Sequence, residues 1–234
     1  MWPDAWVIAA KDLRIEWRSR VLMYQAAPFA LVLLVLFAFA LDPDRGTLRS
    51  ATPGLFWVAV IFTATTAAQR SAGLETGNGC RDALRLAGFE PAGIFLGKAL
   101  ALAMQLLVLE ALLVAGVVVL YQVDIRARGV AVMIVTCLAT TIGVAATSTI
   151  YATLAAGARV RDTLFPLLVL PVVAPILISA TRAFEAALAT SVSVRKVNTV
   201  NPSDGWSWIG LLSVFALVYV AAGLLAYGPL LEDA

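Results

Sequence analysis

Six stretches of this chain carry too few polar residues to fold in water. They run over about 21–41, 54–68, 92–121, 130–156, 164–183 and 206–227. A helix needs about 20 consecutive, mainly apolar residues to cross the hydrocarbon core of a bilayer. Hydrophobic residues make up 61% of the 234 residues and charged ones 14%, more apolar surface than a soluble core of this size can bury. Lipid offers no partner to a backbone N–H or C=O, so a spanning segment must be a helix or part of a closed barrel. Barrel strands would be shorter and would alternate apolar with polar. These stretches are apolar on every face. The expected fold is an all-α membrane protein with six transmembrane helices, one polytopic domain over 1–234 that leaves no room for a separate catalytic domain.

The segment 1–20 differs from the rest. Trp6, Ile8, Leu13, Ile15 and Trp17 are interleaved with Asp4, Lys11, Asp12, Arg14, Glu16 and Arg18. That mixture predicts an interfacial helix along the membrane surface, with tryptophans at headgroup level. The apolar run that follows is too long for a signal-peptide core and no small-residue cleavage pattern follows it, so it is expected to remain as the first span.

Orientation follows from the basic residues. Ten of the 17 Lys and Arg lie in the N-terminal segment, the second loop (with Lys98 just beyond it) and the fourth loop; seven lie on the other side. Both termini and loops two and four are therefore expected in the cytoplasm.

Several chemistries are poorly served. The chain has no histidine, the commonest metal ligand and general base. Cys80 and Cys137 are distant and form no CxxC pair, so no disulfide and no metal site are expected. The string Gly93-Ile-Phe-Leu-Gly97-Lys98-Ala99 is not a P-loop: it has three residues between its glycines rather than four, and Ala where Ser or Thr must follow the Lys. No cofactor is expected on this chain, and any ATP would be bound by another subunit.

Inside the spans, Glu110 in span three is the outstanding polar residue. A carboxyl at depth must face protein or water. It can serve as a proton or substrate site, or as a hydrogen-bonded helix contact partnered by Gln105 or a threonine of span four. Gly93 and Gly97 form a GxxxG pattern suited to close helix packing. Pro166, Pro171 and Pro175 each remove a backbone hydrogen bond from span five and are candidate kinks, static or mobile. Loop one, 42–53, is rich in turn formers, and loop five, 184–205, is expected to carry a short helix over 184–189.

Loop two, 69–91, is the longest polar stretch. Gly79 precedes a segment, Arg81–Ala87, suited to a short helix, and Gly88 and Pro91 close it. Gly79-x-x-Asp82-x-Leu84-x-Leu86, followed by Ile94-x-Leu96-Gly97-Lys98, resembles the second cytoplasmic loop of the cytochrome c maturation permease family CcmB, haem exporter protein B. Pro53-Gly54-Leu-Phe-Trp57 is similar to that family's opening of span two, and Arg161 to Arg182, with its three prolines, to its fifth span. The chain departs from the family pattern at Gly77-Asn78, where an acidic pair is usual, and at Ala87-Gly88.

The resemblance implies the permease subunit of an ATP-binding-cassette (ABC) complex that delivers haem for c-type cytochrome maturation. It implies a separate cytoplasmic ATPase, CcmA, and membrane partners CcmC and CcmD, with haem as possible cargo. It makes 69–91 the coupling loop, with a short cytoplasmic coupling helix, and makes Glu75, Gly79, Asp82, Leu84, Leu86 and Lys98 the residues that meet the ATPase. Two other classes share this topology: an ABC-2-type exporter permease for a lipid or drug, and a scaffold that assembles partners without transport. Neighbouring genes and loss of c-type cytochromes on deletion separate them.

Overall fold

The computed structural model describes residues 1–20, 22–41, 45–77, 88–121, 127–156, 161–188 and 202–233. The elements are α1 (Trp2–Ser19), a π-helical turn (Leu22–Ala26) running into α2 (Ala27–Leu41), α3 (Arg45–Gly77), α4 (Pro91–Tyr121), α5 (Ala127–Ala156), α6 (Arg161–Leu188) and α7 (Pro202–Asp233). No strand occurs among the described residues. Helices α2 to α7 each contain a segment long and apolar enough to span a membrane, six in all. The expected fold class is what the structure shows.

The central helix is α5, which packs against α3, α4, α6 and α7. Small residues bring it close to its neighbours. A Cβ on Gly129 would collide with the Ala187 carbonyl of α6, and one on Gly143 would meet Ile176 of α6 and Ala216 of α7. Five of its buried hydroxyls are met by the helix itself. Thr136, Thr140, Thr147, Thr149 and Thr153 each donate to the carbonyl four residues earlier, at 2.7 to 3.0 Å. Back-bonding of this kind lets polar residues sit in an apolar bundle without an unmet donor.

Three boundaries differ from the sequence expectation. Residues 45–53 are helical rather than loop, so Pro53 lies inside α3. The buried Thr52 hydroxyl bonds back to the Leu48 carbonyl at 2.9 Å within this extension. Loop two is shorter than 69–91, because α3 continues to Gly77. Gln69, Arg70 and Ser71 read as loop residues by polarity, but Ala68 and Ala72 beside them are buried and Arg70 and Ser71 find partners on other helices. Loop five starts later, because α6 runs to Leu188 in place of a separate short helix. Arg182 and Glu185 pair with each other at 3.0 Å along one helix face there. Phe184 is buried, stacked on Phe56 of α3 at 4.7 Å with Trp57 edge-on.

Pro166, Pro171 and Pro175 all lie within α6, as expected for span five. Tyr219 of α7 donates to the Val172 carbonyl at 2.7 Å, three residues before Pro175. Ser179 donates to the Pro175 carbonyl at 2.8 Å. Hydroxyls from the helix itself and from a neighbour thus meet carbonyls in the stretch where prolines thin the backbone ladder.

Candidate functional site

The amphipathic α1 is bolted to the bundle. Ala5, Ile8 and Ala9 form a buried face at helical spacing, and Asp12 continues it. This face lies on the first turns of α4, where Gly93 and Gly97 admit it. A Cβ on Gly93 would stand 2.9 Å from the Asp4 Cβ, and one on Gly97 would stand 2.6 Å from the Ala5 carbonyl oxygen. The GxxxG of span three therefore receives the N-terminal helix. Pro91 opens α4, a first-turn position where its missing N–H leaves no bond unmade. The Glu90 amide, just before it, reaches the Asp4 carboxylate at 3.5 Å.

Below that contact lies a charged node. Lys98 Nζ sits 3.6 Å from Asp12 Oδ2 and donates to Ser71 Oγ at 3.3 Å. Lys11 approaches the other oxygen of Asp12 at 3.0 Å, and Arg70 of α3 lies 3.9 Å from Glu16 of α1. Three helices, α1, α3 and α4, are thus joined by opposite charges and a hydroxyl. A cavity of about 40 Å³ opens beside the node, lined in part by Asp12, Ser71, Lys98, Gln105, Thr149 and Thr153. It has room for roughly three waters among several polar partners.

The family resemblance placed Lys98 among the ATPase-coupling residues. The structure instead turns it inward, with its side chain only 7% exposed. Burying a lysine without a counter-charge is costly, and Asp12 supplies that charge. Glu75 falls on the last turn of α3. Gly79, Asp82, Leu84 and Leu86, and the short helix expected around them, lie outside the described residues. The node brings together the two helices that carry this segment, α3 on one side and α4 on the other. Sequence reasoning missed Asp12 and Ser71. Asp12 could have been found, since it lies seven residues after Ala5 and four after Ile8, on the face that small and apolar residues mark as packed. Ser71 gave no such signal.

About 18 Å farther along α4, by the helical rise, Glu110 is 2% exposed. Thr141 of α5 donates to its Oε1 at 2.6 Å, and the Cys137 thiol, one turn earlier on α5, sits against the same carboxyl. Its Oε2 has no hydrogen-bond partner among the described residues. Of the two partners expected for Glu110, the threonine of span four is the one found; Gln105 faces the cavity instead. The arrangement ties α4 to α5.

No group of three or more Cys, Asp or Glu that could hold a metal occurs among the described residues. The family model for CcmB protein matches residues 4–226, which take in most of α1, the node and most of α7. The chain belongs to the CcmB family. No curated protein matches it. As a CcmB-family member it is a multi-pass membrane protein, a permease subunit and not a catalytic enzyme. It is a membrane component of a haem export system for cytochrome c maturation, and it works with other subunits of a Ccm system.

Proposed function

We propose that this CcmB-family chain is the permease of an ABC complex in the bacterial plasma membrane, with both termini cytoplasmic and ATP hydrolysed on a separate subunit, CcmA. CcmC and CcmD are the further membrane partners, and the complex serves haem delivery to the cytochrome c assembly line. The chain itself binds no cofactor. Haem, where it is handled here, rests on apolar and aromatic surface, since the chain has no histidine to ligate it.

The observation that carries this reading is the charged node at the base of the α3–α4 hairpin. A loop that transmits force must be anchored stiffly where it enters the membrane. Asp12, Ser71 and Lys98 cross-brace α1, α3 and α4 at that place, and Arg70 and Glu16 add a second tie. ATP-driven closure of the ATPase dimer would pull on Glu75, Gly79, Asp82, Leu84 and Leu86. Lys98 would pass the pull to α1 and α4 from inside. The helices then move as nearly rigid bodies, and Pro166, Pro171 and Pro175 are the proposed bending points of α6.

Pull-down of the ATPase subunit with wild-type and Leu84→Asp/Leu86→Asp protein tests the reading. Retention of the ATPase by wild type and its loss from the variant, with the permease still intact in detergent, is the expected result. Equal retention by both rules out the hairpin as the grip.

A further inference from the structure

Helix α1 has three faces, and one of them packs on the bundle. Ala5, Ile8, Ala9 and Asp12 lie on the bundle. Trp2, Trp6 and Trp17 stand away from it, 72%, 66% and 82% exposed. Along the adjoining edge run Lys11, Arg14 and Arg18, three and four residues apart, and a shallow groove joins Trp6, Val7 and Ala10 to these cations. Arg14 and Arg18 are exposed and make no ion pair or hydrogen bond among the described residues. The tryptophans and these two arginines stand side by side, turned away from the bundle.

The level of α1 in the bilayer follows from α4. Its 31 residues make a helix about 46 Å long, against about 30 Å of hydrocarbon. Centred, it leaves about 8 Å at each end in the headgroup region. Helix α1 docks on Gly93 and Gly97, within about 10 Å of that end. It therefore lies at the level where indole rings settle and lipid phosphates are found. We propose that the outer face of α1 is a binding surface for anionic phospholipid headgroups, with Arg14 and Arg18 on the phosphates and Trp6 and Trp17 seated among the glycerol and upper acyl groups. An acidic protein would satisfy the arginines but leaves three exposed tryptophans unexplained at this depth. The proposal needs the bundle to sit in a bilayer; it does not need the ATPase reading.

The full chain in nanodiscs of equal phosphatidylglycerol and phosphatidylcholine, each supplied with a photoactivatable analogue of the same acyl length, tests this. The ratio of the two adducts on residues 1–20 is compared with the ratio on α2, whose exposed Phe29, Val32, Leu36 and Phe39 offer no charge. Phosphatidylglycerol should be favoured several-fold on 1–20 and not on α2. Arg14→Gln/Arg18→Gln should bring that preference most of the way down to the α2 ratio, since each cation near the surface contributes about 1 kcal/mol of attraction to anionic lipid, with an unchanged thermal midpoint. In wild type, 0.5 M salt should erase most of it, because screening shortens to about 4 Å at that strength. The same ratio on 1–20 as on α2, or a preference indifferent to both the substitutions and salt, would overturn the proposal. So would an α1 that takes no lipid adduct and cross-links to a co-purified protein.

Discussion

Lys98 and Glu110 lie on one helix, and both are buried, yet the chain accommodates them by opposite means. Lys98 is near the end of α4, beside a polar cavity, and is met by a full opposite charge from another helix. Glu110 is near the middle of α4, and it is met by a hydroxyl and a thiol from α5. Depth accounts for the difference. At the headgroup level water is near, the effective dielectric is high, and two ions can be held together at tolerable cost. At mid-membrane the second ion would cost more than it returns, so a threonine suffices. The first arrangement joins three elements and fixes the base of a hairpin. The second joins two helices along a seam.

Breaking the Lys98 node should have the largest effect. Lys98→Met leaves Asp12 facing a buried side with Lys11 as its remaining close cation, and should cost about 3 kcal/mol, as removal of one partner from a buried pair does. The double variant Lys98→Met/Asp12→Leu should recover most of that loss, since an apolar pair of similar volume needs no counter-charge. Thermal midpoints in one detergent measure both. A double variant no better than the single would mean that the node is held by groups other than this pair.

Gly97→Leu comes next. Its Cβ meets the backbone of α1 rather than a flexible side chain, so α1 must shift or leave. The expected cost is about 2 kcal/mol, typical of overpacking, with limited proteolysis cutting α1 from the bundle sooner than in wild type. Gly54, where an added Cβ would meet nothing within 4 Å, is the control on α3. Equal behaviour of Gly97→Leu and Gly54→Leu would break the claim that α1 is docked.

Glu110→Gln should have the smallest effect, within about 0.6 kcal/mol, because the amide still offers an oxygen to Thr141. Thr141→Val should cost about as little. A loss as large as that of Lys98→Met would erase the contrast between the two sites and give Glu110 a role beyond the helix seam.

Much of the fold was legible because hydropathy runs of about 20 residues have one solution in lipid. The boundaries were less so. Polarity alone ended α3 at Ala68, yet Arg70 and Ser71 continue the helix because partners on α1 and α4 meet them. Arg182 and Glu185 continue α6 in the same way, each neutralising the other. The site was legible only in outline. The GxxxG announced a close contact without saying that α1 was the guest. Lys98 was picked out, but without its counter-charge, Asp12, which lies 86 residues earlier in the chain. Glu110 was found, with Gln105 or a threonine of span four as its expected partner, because a lone carboxyl at depth leaves few partners to choose from; Thr141 is the one that meets it.

The most direct test of the central claim is photo-crosslinking in native membranes, with an unnatural photoreactive residue at Leu84 and, as a control, at Arg126 on the opposite side. An adduct with the ATP-binding subunit at Leu84 and none at Arg126 is the predicted result. No adduct at Leu84 in membranes that contain the ATPase, or equal adducts at both positions, would contradict a hairpin braced by Asp12, Ser71 and Lys98 as the handle through which ATP hydrolysis moves this permease.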